Sequence, residues 1–386
     1  MRFPGFTDEW SDSYLRLDCE VNPKSPILED EFVYIDLESV EKGVLIKRQI
    51  IKKVDAPSRA QRVLSDSDVL FQCVRPYQQN NYFYEVDNSG LQWVASTGYA
   101  QLRVKHSNPE FIYHLLSSPS FTRKVIVRCT GSNYPAINSE DLSNIHYQIC
   151  SLPEQKKIAK LITLLNERIA AQNKIIEDLK SVISSISNKL FDGKMHIGDS
   201  NDEWVYMTLG DITTNFNRRN KVCQHLPMFS VTNISGFSPQ NEVFEGKEIK
   251  DEDISIYKII HKGEFAYNPA RINVGSIGRY EGDAPCMISS LYICFRPKDN
   301  IDSDWLQYLL KSNKMVYQYG LYGEGGVRIY LFYPNFSRIK VWVPPLRTQE
   351  KIASILNSFK DKLFLETSLL RRLQEQKRYL LTRMFI

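Results

Sequence analysis

The chain has 386 residues, of which 42% are hydrophobic, 24% charged and 12% aromatic, with a formal charge of +4. At roughly 100–200 residues per domain this is a globular chain of two or three domains, outside the composition range of disorder. No stretch is apolar for the ~18 residues of a membrane-spanning helix and the polar opening is unlike a signal peptide, so a cytoplasmic protein without a membrane partner is expected.

The predicted elements follow in chain order. Residues 32–37 and 69–74 are apolar runs bounded by turn residues and read as short strands. Residues 110–117 read as a short helix, and 125–127 as another strand. Ser151-Leu152-Pro153-Glu154 then sets a Ser three residues before a Glu, with an early Pro, which are features of a helix start. From there Ile158, Ile162, Leu165, Ile169, Gln172, Ile176, Leu179, Ile183, Ile186 and Leu190 step by four and three, nine of the ten apolar. A 3.5-residue period held over more than four heptads is the coiled-coil signal. Asp192-Gly193 supplies the stop.

A strand at 291–295 and a helix at 305–311 follow, and Pro344-Pro345 bars helix just before a second seam. That seam runs Ile352, Leu356, Phe359, Leu363, Glu366, Leu370, Leu373, Lys377, Leu380 and Met384, eight of the ten apolar. Each helix of about 40 residues would be roughly 60 Å long at 1.5 Å per residue. Gln172 and Glu366 interrupt the two seams at the same place. They are either polar register markers or the sign of a locally solvated stretch.

The elements repeat at an offset of 194 residues. Asp8-Glu9-Trp10 returns as Asp202-Glu203-Trp204, Leu115-Leu116 as Leu309-Leu310, Gly131 as Gly325, and Ser143 and Ile145 as Ser337 and Ile339. Gln155, Lys157, Ile158 and Ala159 return as Gln349, Lys351, Ile352 and Ala353. In between, the register slips, and Tyr99 and Arg103 match Tyr292 and Arg296. The expected fold class is α+β: two similar globular domains over 1–150 and 193–343, each followed by a long helix over 151–192 and 344–386. The helices are expected to pack as an antiparallel coiled coil.

Two similar modules on rigid rods suit a divided target. One turn of duplex DNA is about 34–36 Å, within the reach of such a rod. Here specific segments resemble a known family. Leu152-Pro153-Glu154-Gln155-Lys156-Lys157-Ile158-Ala159 and Pro345-Leu346-Arg347-Thr348-Gln349-Glu350-Lys351-Ile352-Ala353 resemble the openings of the conserved helices in DNA-specificity subunits of type I restriction–modification enzymes. Phe3-Pro4-Gly5-Phe6 with Glu9-Trp10 is similar to the family's entry to a recognition domain, and the segments 70–76 and 267–278 to parts of such domains. The resemblance implies that each domain reads one half of a bipartite double-stranded DNA site. It implies that the helices set the gap and dock two methyltransferase subunits, and that motor–nuclease subunits join the full complex. S-adenosylmethionine would then belong to the methyltransferase subunits, with no cofactor on this chain.

Arg75 and Arg271 fall at near-matching places among Pro and Gly, and arginine is the commonest reader of guanine edges. Asn273 lies in the same segment as Arg271. Gly131-Ser132-Asn133-Tyr134 aligns with Gly325-Gly326-Val327-Arg328, loops from which Tyr134 and Arg328 would reach a phosphate or base edge. Arg218-Arg219-Asn220-Lys221 is a basic cluster suited to phosphates, with Arg218, Arg219 and Lys221 as candidates. Against each stands an ordinary turn, surface ion pair or solvated loop. The globular parts carry charges of −3 and −1 and the helices +3 and +5, so the basic excess of a DNA reader is missing from the domains taken whole.

Signs of catalysis are missing. Asn268-Pro269-Ala270-Arg271 lacks the second Pro and the aromatic of a methyltransferase tetrapeptide. There is no phosphate-binding G-x-x-x-x-G-K-[ST] loop, no H-E-x-x-H and no G-x-S-x-G. Glu245-Gly246-Lys247 is half of a nuclease-like pair with no acidic partner upstream. The seven cysteines have no C-x-x-C spacing and the six histidines no ligand spacing, which points to reduced thiols and away from zinc. Two other readings stay open: a protein-only coiled-coil adaptor, and the specificity region of a system that cuts on both sides of its site.

Overall fold

In the computed structural model, which describes residues 2–195, 197, 202–233, 236–240, 253–326 and 329–385, the chain divides into two units. Unit 1 is Met1–Lys174 with Thr367–Ile386, and unit 2 is Ile175–Glu366. In chain order the first half forms β1 (Ser11–Tyr14), α1 (Leu15–Asp18), β2 (Cys19–Val21), β3 (Glu31–Ile35), β4 (Val40–Glu41), β5 (Val44–Leu45), β6 (Gln49–Lys52), β7 (Ala60–Val63), β8 (Val69–Gln72), β9 (Tyr82–Phe83), β10 (Gln92–Ser96) and β11 (Tyr99–Val104). Then come α2 (Pro109–Leu116), α3 (Pro119–Ile126), α4 (Ser139–Ser143), β12 (His146–Ile149) and the long α5 (Leu152–Phe191). The second half forms β13 (Val205–Thr208), α6 (Leu209–Ile212), β14 (Thr213–Phe216), β15 (Met228–Thr232), β16 (Gly236–Pro239), β17 (Lys258–Ile260), β18 (Phe265–Tyr267), β19 (Ile277–Arg279), β20 (Cys286–Ile288) and β21 (Ile293–Pro297). It ends with α7 (Ser303–Leu310), α8 (Asn313–Tyr322), α9 (Tyr333–Phe336), β22 (Lys340–Val343) and the long α10 (Leu346–Met384).

The two halves share one topology. Unit 1 has sheets ordered β6-β3-β10-β7 and β2-β11-β8-β9, and a two-stranded β1-β12. Unit 2 repeats them as β16-β15-β20-β17, β14-β21-β18-β19 and β13-β22. Even the one parallel pairing recurs, β3 with β10 and β15 with β20. The slip in the repeat is also visible. Leu70 faces Gln101 as Ala266 faces Cys294, so the offset is 196 on the first strand and 193 on the second. Loop lengths between strands changed while the ladders did not.

Residues 125–127, expected as a strand, fall at the end of α3. Ser118 caps that helix by accepting from Phe121 N, and Pro119 stands in its first turn. Phe121 and Val125, one turn apart, both face the core. Three β-branched residues in a row say little when a strong cap lies just upstream.

Both long helices are rooted alike. Asn108 and Asp302 cap α2 and α7, accepting from Phe111 N and Trp305 N. The backbone N–H of each cap donates, at 2.8 Å, to the side chain of Gln155 or Gln349 on the following long helix. Each glutamine amide donates back to Cys150 O at 2.8 Å or Pro344 O at 2.9 Å. Both glutamines are buried. Two turns further along each long helix, His114 meets Thr163 at 3.0 Å, and Tyr308 donates to Asn357 at 2.8 Å. Glu154 accepts from Arg2 at 2.8 Å, tying the start of the chain to the first turn of α5.

Every seam residue of both long helices is buried or half-buried. In unit 1 the root of α5 (Ile158, Ile162) shares a core with the tail of α10 (Leu380, Leu381, Met384) and with Phe385. In unit 2 the tail of α5 (Leu190, Phe191) shares a core with the root of α10 (Ile352, Ala353, Leu356). Each root thus packs with the other helix's tail. The tails end alike: Ser120 donates to Phe385 O at 3.1 Å and Lys314 to Phe191 O at 3.2 Å. Of the three polar seam residues, Gln172 is buried and Lys377 half-buried in unit 1, and Glu366 pairs with Lys362 at 2.5 Å in unit 2.

Candidate nucleic-acid interface

Arg75 and Arg271 occupy equivalent positions. Each precedes a three-residue 3-10 turn, Pro76–Gln78 or Ile272–Val274, and each turn closes on a left-handed residue, Gln79 or Gly275. A hydrogen bond fixes the equivalence: Ile137 N donates to Cys73 O at 3.1 Å, and Leu331 N donates to Pro269 O at 3.0 Å. Arg75 is itself left-handed, with φ 54°, a conformation that non-glycine residues adopt at a cost of order 1–3 kcal/mol. The loop after it is held by side chains. Gln72 donates to Gln78 at 2.9 Å and accepts from Asn80 N at 3.1 Å, and Gln79 donates to Thr122 at 2.9 Å. The second loop is held by Asn268, whose N–H donates to Ser276 O at 3.1 Å and whose side chain accepts from Ala270 N at 3.0 Å.

Beside each arginine stands a tight loop closed by a two-bond bridge. Thr130 and Ala136 exchange bonds of 2.9 and 3.0 Å, and Glu324 and Tyr330 exchange two of 2.8 Å. Gly131 (φ +91) and Gly325 (φ +113) start the turns. At Gly131 a Cβ would lie 3.0 Å from Tyr134 O, so the loop needs both the missing side chain and the positive φ. Tyr134 on this loop is 64% exposed, and the Arg75 guanidinium lies 4.4 Å from its ring centroid. The structure therefore brings these two candidates together as a cation–π pair. They border a cleft of about 430 Å³ whose other walls include Leu37, Glu41, Ile46 and Asn80. The buried Nε of Arg75 has no hydrogen-bond partner among the described residues.

The basic cluster at 218–221 is divided by the fold. Arg218 turns inward, donating to both oxygens of Glu264 at 2.8 and 2.9 Å, with its guanidinium 5.0 Å from the Phe216 ring centroid. The hydrogen bonds to Glu264 raise its pKa further. Unit 1 has the same device from a different strand: Arg103 donates to both oxygens of the buried Asp68, at 3.1 and 2.9 Å. Asn220 is fully buried, donating to Gln224 O at 2.8 Å. Arg219 and Lys221 remain exposed. Arg271 is exposed and Asn273 half-buried within its 3-10 turn. Arg328 lies outside the described residues, as do Glu245-Gly246-Lys247.

Chemically these loops offer forked cations and an aromatic edge on a rigid frame, suited to anionic or hydrogen-bond-accepting ligands. The cysteines are all free. Burial pushes the thiols of Cys19, Cys73, Cys150, Cys286 and Cys294 up to about 12, far from nucleophilic reactivity. No group of His, Cys, Asp and Glu among the described residues is placed to hold a metal, and no described helix is long and apolar enough to cross a membrane.

A family model described as the type I restriction modification DNA specificity domain matches residues 59–181 and again 201–375. The HindI specificity subunit of Haemophilus influenzae, a type I restriction enzyme subunit, is 25% identical over 163 residues, 41% of this chain and 35% of that one. A putative type I enzyme MjaX specificity subunit of Methanocaldococcus jannaschii is 24% identical over 278 residues, 66% of this chain and 61% of that one. This chain therefore spans about a third and three fifths of the lengths of these two relatives. Among solved structures, one described by complex assembly and conformational transition of the type I R-M system aligns over 99% of this chain and 97% of its own, with TM-score 0.62 and 20% identity. The S subunit from M. genitalium aligns over 98% and 96%, with TM-score 0.58 and 15% identity. At such identities the structural likeness is one of fold.

Proposed function

The chain belongs to the type I restriction–modification DNA specificity family, and we propose that it is the non-catalytic, cytoplasmic subunit that selects the DNA site for such an enzyme. Residues 1–150 and 193–343 are the two recognition domains, each reading one half of a bipartite duplex site. Residues 151–192 and 344–386 pair as an antiparallel coiled coil that fixes the spacer and docks two methyltransferase subunits, with motor–nuclease subunits completing the assembly. The observation that carries this reading is the equivalence of Arg75 and Arg271: an arginine just before a matching 3-10 turn, beside a matching bridged loop, in two copies of one fold, although only Arg75 is left-handed. A repeated fold that presents a guanidinium twice is what reading two half-sites requires.

Within the site, Arg75, Tyr134, Arg271, Asn273 and Arg328 serve base edges or adjacent phosphates, and the exposed Arg219 and Lys221 serve phosphates. Arg218 supports that surface from below through Glu264. Because the globular parts carry no net positive charge, tight binding depends on cations from the partner subunits. The deciding experiment maps methylated bases in cells expressing this chain with its methyltransferase partner. A split motif methylated on both strands, lost when this chain is deleted, is the expected result. An unchanged map with an active methyltransferase would replace this reading with the protein-only adaptor.

A further inference from the structure

On the segment hydrogen-bonded to the loop that carries Arg271, the second unit exposes two aromatic rings where its first copy has none. Tyr330 and Phe332 flank Leu331, which is fully buried and whose N–H donates to Pro269 O. As alternate residues on an extended segment they point the same way. Their rings lie nearly parallel, 10° apart with centroids at 6.3 Å, and are 38% and 50% exposed. The segment is pinned at both ends, by the bridge from Tyr330 to Glu324 and by Phe336 N donating to Phe332 O at 3.0 Å.

The first copy places Ala136 and Asn138 at the equivalent sites. Asn138 caps α4, its side chain accepting from Asp141 N. Phe332 stands at the cap of α9 and makes no capping bond. The second unit thus forgoes a good cap for a half-exposed phenyl ring, a loss on both counts for the isolated fold. A feature that local stability does not explain, set beside the candidate reader Arg271, belongs to what the surface meets.

We propose that Tyr330 and Phe332 form a flat apolar pad that contacts the 5-methyl groups of thymine in the half-site read by the second unit. The inference rests on the DNA-reading function proposed above. Rings that lean on each other and stay half-buried make a pad to press against base edges, whereas a wedge between base steps would have to protrude. In the major groove the thymine methyl is the one apolar group that distinguishes base pairs, and aromatic side chains pair with it. The first unit has no such pad at the equivalent positions, where Ala136 and Asn138 stand.

The test is selection from DNA with both half-sites randomised, using the full chain assembled with its methyltransferase subunits. Wild type is compared with Phe332→Asn, which rebuilds the cap found in the first copy and so keeps the fold. Wild type should prefer thymine at one or more positions of one half-site. In Phe332→Asn that preference should fall about fourfold, the worth of burying one methyl-sized group, while the other half-site is unchanged. Replacing that thymine by deoxyuridine should weaken wild type by the same factor and leave the variant unaffected. Thymine preference unchanged in the variant, or no thymine in either wild-type half-site, would overturn the pad. No sequence preference at all in wild type would instead sink the proposed function.

Discussion

Replacing Gln349 by Leu should unlock the root of the second long helix. The buried side chain accepts from Asp302 N at 2.8 Å and donates to Pro344 O at 2.9 Å. Leucine is close in volume, so the loss is mainly the stranded Asp302 N and Pro344 O, with a longer 3.4 Å bond to Asn300 O, rather than a cavity. Each stranded group costs about 1–3 kcal/mol when buried. The Asp302 bond is only partly buried, so water offsets some of its share, and we expect about 2–4 kcal/mol in total. In a unit of this size, where 1 kcal/mol moves the melting point by about 2–4 °C, the midpoint should drop by about 5–12 °C. Differential scanning calorimetry and urea titration read this, and Gln155→Leu should give a matching loss through Asn108 N and Cys150 O. A destabilisation below about 1 kcal/mol in both variants would refute the clamp as an energetic link between globular part and helix.

Three further outcomes are expected. Arg271→Ala should relax recognition in one half-site and Arg75→Ala in the other, by about 1–3 kcal/mol each if the contact is a forked one to guanine; equal loss in both halves from either change would contradict separate readers. In a thiol-labelling time course at pH 8 the exposed Cys223 should react first, with the five buried thiols held near 12 reacting only on unfolding. Burial lowers the His114 pKa to about 3 from an unfolded value near 6.5, so between these values the unfolded chain binds the extra proton. Unit 1 should therefore hold its stability above about pH 6.5 and lose it progressively below, by up to about 1.4 kcal/mol per pH unit, and His114→Gln should flatten that profile in acid denaturation.

The duplication and the long helices are legible in the sequence because both are periodic: Gln155 and Gln349 recur at the repeat offset, and the seams keep their four-three step. Their roles are less legible. The matched glutamines gain meaning only when Asn108 and Asp302 turn their N–H groups toward them. Arg218 is indistinguishable from Arg219 in a basic run until Glu264, far along the chain, claims it. The run at 125–127 misleads because β-branched residues fit a helix that is well capped and faces a core. Tyr330 and Phe332 carry no distinctive signal in the sequence, since alternate aromatics usually mean a core strand, and only their exposure sets them apart.

That the root of one long helix shares its core with the tail of the other bears on how the protein is made. The Phe385 ring packs against that of Phe111, centroids 5.2 Å apart and tilted by 48°, and the Phe385 carbonyl is held by Ser120 across 265 residues of chain. The first unit emerges early from the ribosome but cannot close its core until the second has been synthesised. Contacts of such separation slow folding and leave apolar surface waiting. Meanwhile the second unit already has both of its helical segments, α5 beyond residue 175 and the root of α10. The later-made unit is thus the first able to fold completely, and an early stop that removed Leu380 to Phe385 would unseat the domain at the far end of the chain.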